Sequence, residues 1–162
     1  NKRQNFNKKF KKVIKTLSSH LKMKNKVFVH RDFHVSNLMM VKNKIGVIDT
    51  QDALIGNKAY DPASLIDDVR FKTSKNFKKK LFDHYIKSQK KINKKDFIND
   101  FEIISVLRNL KIIGIFTRLA VIDKKKKYLR LIPYAWNLIK FRTRNNDKFK
   151  NLNDLLNTIK MN

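Results

Sequence analysis

Apolar residues return at steps of three and four through the first part of the chain: Phe6, Phe10, Val13, Ile14, Leu17 and Leu21. That spacing lines one face of a helix and predicts one over residues 5–22. The period then changes. Val27–Val29, Leu38–Val41 and Ile45–Ile48 are short apolar runs separated by polar turns, which predicts three strands, the last two joined as a hairpin across Lys42-Asn43-Lys44. Thr50 to Tyr60 reads as a loop with Gly56-Asn57 as its turn signal.

Helical spacing resumes at Asp61-Pro62, where Asp61 suits the N-cap and Pro62 the first helical position. Leu65, Ile66, Val69 and Phe71 form the expected buried stripe. Ser74 caps a helix that carries Phe77, Leu81, Phe82, Tyr85 and Ile86 on one face, and Lys91–Lys95 is a charged connector. Asp96 to Asp123 is apolar nearly all round at its centre, which predicts a central, largely buried helix. Gly114 within it is expected to permit a close helix crossing, because glycine otherwise costs ~1 kcal/mol in a helix interior. A basic turn (Lys124–Lys127) leads to a helix over Tyr128–Phe141, kinked or restarted at Pro133, and a short one closes the chain over Leu152–Ile159. Strands come early and helices follow, so the expected class is α+β, mostly helical, as a single domain over residues 1–162 and not a doubly wound sheet.

Composition narrows the function classes. The chain of 162 residues is 41% hydrophobic, enough for a core, and its longest apolar stretches are broken by charges such as Lys111 and Arg118. None approaches the ~20 apolar residues of a membrane span. No apolar stretch suited to a secretory signal stands at the start, and cysteine is absent, so a cytoplasmic protein without disulfides or thiolate metal sites is expected. The net charge of +26 invites a polyanion partner. However, lysine far outnumbers arginine, and the excess of Lys, Asn, Ile and Phe matches A/T-rich codons. The lysines also fall between apolar helix positions (Lys8-Lys9, Lys11-Lys12, Lys78-Lys79-Lys80), where a solvated face accounts for them. Nucleic-acid binding is therefore kept only as an alternative.

The chemistry concentrates between Val27 and Asp52. The first strand delivers His30-Arg31-Asp32, Asn37 follows five residues after Asp32, and the third strand ends on Asp49. Phosphoryl transfer needs an acid beside the attacking hydroxyl, and an amide and a second acid to hold the magnesium that neutralises the phosphates. H-R-D-x-x-x-x-N supplies the first two, and Asp49 stands where the aspartate of a D-F-G motif would. Asp32 is thus the expected base, and Asn37 and Asp49 the expected Mg2+ ligands, with ATP as phosphate donor. His30 is expected to hold the loop. His34 is left open between lining an acceptor pocket and bracing the loop. Arg31 can counter the charge of Asp32 or of phosphate. Asp52 is left as a supporting acid near the site, and Asp61 is better explained as a helix cap. A zinc cluster from His30, Asp32, His34 and Asp49 would need three ligands to converge and would leave Asn37 without a purpose. Tyr128, Tyr134, Trp136 and Phe141 could line an acceptor pocket but read first as core.

These segments resemble the aminoglycoside phosphotransferase and choline kinase group, relatives of the protein kinases. H-R-D-F-H-V-S-N-L-M, I-D-T-Q-D-A-L-I-G, Y-D-P-A-S-L-I-D-D, R-N-L-K-I-I-G-I-F-T-R-L and Y-L-R-L-I-P carry the likeness, over about residues 27–135. Within that group the chain is most similar to bacterial anomeric sugar kinases, the N-acetylmuramate/N-acetylglucosamine kinases of cell-wall recycling. The resemblance implies transfer of the ATP γ-phosphate to C1 of an amino sugar; another small acceptor, an aminoglycoside or choline, is the alternative. Thr50 stands where the group usually has phenylalanine, which removes a packing contact but no metal ligand. The group also has an N-terminal lobe with a sheet, a phosphate-covering loop and a lysine for the α/β-phosphates. Nothing before Val27 reads as that lobe, so the resemblance implies a C-terminal lobe of a kinase-like fold that needs the missing lobe as partner for full activity. It also leaves open a catalytically dead lobe kept for interaction.

Overall fold

The N-terminal periodicity folds as helix α1 (Lys2–Ser19), three residues earlier than its spacing predicts. The computed structural model describes residues 2–159. Among them are strands β1 (Val27–Val29), β2 (Leu38–Val41), β3 (Lys44–Val47) and β4 (Leu54–Gly56), followed by helices α2 (Tyr60–Ile66), α3 (Lys75–Ser88), α4 (Lys94–Val121), α5 (Ile132–Thr143) and α6 (Lys150–Asn157). The result is a mostly helical α+β fold with two small antiparallel sheets.

β2 and β3 pair from Leu38↔Val47 to Val41↔Lys44 across a two-residue turn. Lys42 and Asn43 both have left-handed backbone (φ 43° and 63°), the conformation that matches a hairpin turn to the twist of its strands. The second sheet corrects the expected loop over 50–60. Leu54–Gly56 is a strand antiparallel to β1, with Val27 opposite Gly56 and Val29 opposite Leu54. Gly56 ends that strand where a Cβ would approach Val29 Cγ2 to 3.0 Å, so its small size serves close sheet packing. The turn proper belongs to Asn57, whose Oδ1 accepts from Ala59 N (2.9 Å).

α4 is the axis. Its 28 residues span about 42 Å. Phe97, Phe101 and Ile104 pack on Ala59, Ala63 and Ile66 around α2. Ile103 and Val106 meet Leu17 of α1, Ile139 of α5 and Leu152 of α6. Ile112 and Phe116 meet Val69, Ala135 and Leu138. Asp100, fully buried, ties the chain after α1 to this axis by accepting from Lys22 N, Met23 N and Asn57 Nδ2 at 2.7–2.8 Å. Ser74 caps α3 by accepting from Phe77 N (3.1 Å), and Pro133 sits in the first turn of α5, where its missing N–H costs nothing.

Three expectations are corrected. Phe71 and Phe77 are exposed. Lys78 is buried rather than solvated, because Asp67 and the Ile66 carbonyl receive its ammonium. Gly114 supports no helix crossing, since a Cβ there would meet nothing within 4 Å. Gly114→Ala is therefore expected to raise the unfolding free energy by about 0.5–1 kcal/mol, read from a denaturant melt, because the helix gains propensity without a clash.

Candidate active site

The site grows from the end of β1, where the backbone turns sharply. Arg31 has φ 71°, a left-handed conformation that costs a side-chain-bearing residue about 1–2 kcal/mol. The Asp61 carboxylate holds that turn: Oδ2 accepts from His30 N (2.7 Å) and Oδ1 from Arg31 N (3.0 Å). Charge-assisted bonds of this kind are about twice as strong as neutral ones. This overturns the reading of Asp61 as N-cap. Asp61 lies inside α2, whose N-cap position is Ala59, and its side chain reaches back to the H-R-D turn.

The next six residues close on themselves. The Asp32 carbonyl accepts from His34 N (3.0 Å) and from Asn37 Nδ2 (3.0 Å), and Asn37 N donates to the His34 carbonyl (2.9 Å). The asparagine five places after the aspartate is thereby fixed by a bond to that residue's own backbone. Asp49 is drawn to the same place through its neighbour: Ile48 N donates to the Asn37 carbonyl (3.1 Å), and the Ile48 carbonyl contacts His30 Nε2 (2.9 Å). His30, 3% exposed, thus bridges the H-R-D turn to the segment that carries Asp49, which lies two residues beyond the end of β3 and not on the strand as its spacing predicts. Asp49 itself adopts φ 66°, which aspartate tolerates better than most residues. One short network thus ties the Asp32 and Asn37 backbones to Ile48, the residue before Asp49.

Their free atoms suit a hard cation. Asn37 commits its amide nitrogen to Asp32, which leaves its oxygen as the available donor. The carboxylates of Asp32 and Asp49 are exposed and have no hydrogen bond or ion pair among the described residues. An amide and a carboxylate oxygen fit Mg2+, which keeps several waters and takes its other ligands from phosphates. Among the described residues no group of three His, Cys, Asp or Glu side chains is placed to hold a metal ion.

Beside Asp32 lies a cavity of about 180 Å³. Arg31, Arg70, Arg108 and Lys111 line it together with Asp32, and Ile112 and Phe116 of α4 supply an apolar wall. Arg70, Arg108 and Lys111 were not singled out in the sequence; R-N-L-K within the helical run was the signal that could have found the latter two. Arg31 donates from Nη1 to the Asp52 carbonyl (3.2 Å), so Asp52 enters through its backbone and its exposed carboxylate has no partner among the described residues. His34 is buried and does not line the cavity. Burial, and then the nearby Arg70 charge, lower the His34 pKa and favour the neutral ring. Three of the four aromatics of the α5 region pack as expected: Tyr128 lies against Phe116 (5.1 Å between centroids), and Tyr134 and Trp136 border the core, whereas Phe141 is exposed, with the Arg142 guanidinium over its ring.

A family model described as a phosphotransferase enzyme family matches residues 2–93, more than half of the chain. The chain belongs to that family. Similar curated proteins carry the name N-acetylmuramate/N-acetylglucosamine kinase. The one from Neisseria meningitidis serogroup B is 36% identical over 137 residues, covering 81% of this chain and 41% of the relative. Those from Caulobacter vibrioides and Pseudomonas aeruginosa are 30% and 31% identical over 68% and 81% of this chain, and over 32% and 40% of their own lengths. The chain therefore spans about a third to two fifths of these relatives. No helix among its described residues is long and apolar enough to cross a membrane.

Proposed function

We propose that residues 1–162 are the C-terminal, catalytic and acceptor-binding lobe of a small-molecule kinase that transfers the ATP γ-phosphate to C1 of an amino sugar. The reading rests on one observation above the others. The Asn37 carbonyl accepts from Ile48 N and His30 Nε2 contacts the Ile48 carbonyl, which ties the residue before Asp49 to the Asp32–Asn37 loop. Family membership and the relatives' names point the same way.

In this mechanism the acceptor hydroxyl sits beside Asp32, which orients it and accepts its proton. The hydroxyl oxygen bonds to the γ-phosphorus as the bond to the ADP oxygen breaks, and the proton ends on the Asp32 carboxylate. Asn37 and Asp49 would hold Mg2+, which supplies charge neutralisation on the phosphates. Little covalent chemistry falls to the protein, so positioning by the His30, Asn37 and Asp61 network is its main contribution. The cationic cavity favours a neutral or acidic acceptor over choline or an aminoglycoside, whose positive charges Arg31, Arg70, Arg108 and Lys111 would repel.

An ATP-binding lobe as partner has a structural motive. Phe28 and Ile55, opposite each other on one sheet, and Met40 and Ile45, opposite each other on the other, are 64–72% exposed, apolar surface that such a lobe would cover. The deciding experiment expresses the full reading frame containing this chain and follows ADP release with ATP, Mg2+ and each of N-acetylmuramate, N-acetylglucosamine, choline and an aminoglycoside. Turnover of the two amino sugars is expected. No turnover of any acceptor, under conditions where the protein is folded, sinks the reading.

A further inference from the structure

Buried guanidinium groups are almost always paired, because an isolated charge away from water is costly. Arg108 departs from this. It is 6% exposed, and its Nη1 is sealed from solvent without a hydrogen-bond partner among the described residues. No carboxylate lies within ion-pair distance of it among the described residues; the Asp68 and Asp32 charges act on it only through space. Asp68 is already engaged, accepting from Arg70 N (2.9 Å) with the Arg70 guanidinium at 3.8 Å. Burial lowers the Arg108 pKa, the signature of a cation short of compensation.

Its position says where the compensating group would come from. Arg108 borders the cavity that Asp32 also lines, whereas Asn37 and Asp49 do not line it. The cavity therefore lies on the acceptor side of Asp32 and not on the phosphate side. Lys111, one turn along α4, and Arg70, whose guanidinium lies over the Phe116 ring (5.6 Å), add positive charge to the same wall.

We infer that Arg108 is the specificity residue that pairs with a carboxylate on the acceptor. The inference rests on the kinase reading for what the cavity is for, but not for the presence of an anion site. N-acetylmuramate and N-acetylglucosamine share one ring and differ by the lactyl ether at O3, which carries a carboxylate in the former. Arg108 makes the acidic sugar the preferred acceptor.

The test compares the full-frame protein with Arg108→Gln and Arg108→Lys, using ATP and each sugar. The ratio of kcat/KM for N-acetylmuramate to that for N-acetylglucosamine is expected to fall about 10- to 100-fold in Arg108→Gln, through the KM of the acid, and to be largely kept in Arg108→Lys. An unchanged ratio, or an equal loss of both sugars in a variant that melts like the parent, overturns the assignment; where Arg108→Gln does not fold, loss of the ratio in the charge-keeping Arg108→Lys overturns it. So does a rise confined to the KM of ATP, which would put Arg108 on the phosphate. If neither sugar turns over, the kinase reading fails separately. Calorimetric titration of N-acetylmuramate into the same protein then decides: salt-sensitive binding lost in Arg108→Gln upholds the carboxylate site, and no binding refutes it.

Discussion

Asp32→Asn is expected to lower kcat for phosphoryl transfer by about 10²- to 10⁴-fold in the full-frame protein, the range for loss of a positioned base. Stability should stay within about 0.5 kcal/mol, as for surface changes away from structural features. The two effects separate because the side chain and backbone of Asp32 do different things. The loop is closed by the Asp32 carbonyl, which accepts from His34 N and Asn37 Nδ2. The carboxylate is exposed and holds no partner among the described residues. Asparagine keeps the shape and the carbonyl but cannot take the acceptor's proton. Steady-state rates alongside a thermal melt check this. A variant that keeps its rate would remove Asp32 from the chemistry; one that loses rate and melting temperature together would make it structural.

The H-R-D-x-x-x-x-N and Asp49 spacing was legible because it is local. The bonds that tie Asp32 and Asn37 to the residue before Asp49 run between residues fewer than twenty apart and follow strand ends and a hairpin that apolar runs announce. What the sequence hid was non-local. Asp61-Pro62 satisfies every rule for a helix start, yet the carboxylate bonds amides 30 and 31 residues upstream, a competition no local pattern can reveal. β4 was missed because three residues are too few to show alternation, and its identity depends on β1 lying alongside. Lys78 looked like its neighbours Lys79 and Lys80, and only the fold distinguishes the one that points inward. Gly114 was given a packing role that open space at its Cβ position does not support. The cavity wall was likewise invisible, since Arg70 and Arg108 are 38 positions apart and meet only because the turn after α2 packs against α4.

Removing the Asp67 carboxylate should have the largest effect on stability, about 3–5 kcal/mol for Asp67→Ala, because it strands buried cations rather than deleting one contact. Asp67 is fully buried at the end of α2. Oδ2 accepts from Ser105 Oγ (2.6 Å) on α4 and Arg142 Nε (2.8 Å) on α5, and Oδ1 accepts from Arg142 Nη2 (3.2 Å) and lies 3.4 Å from Lys78 Nζ on α3. One carboxylate thus joins four helices, and Arg142 stacks on Phe101 (4.8 Å) as it does so. Burial opposes the charge, but Arg142, Lys78 and Ser105 outweigh it and hold the carboxyl below its usual range. A depressed carboxyl pKa gives stability that is complete above the unfolded value of about 3.9 and is lost as pH falls through the folded value. The melting-temperature gap between the protein and Asp67→Asn should therefore be constant from neutral pH down to about 4 and narrow only below it. A gap that changes around pH 6–7, or a variant as stable as the parent at neutral pH, would show that the four helices hold together without this anchor.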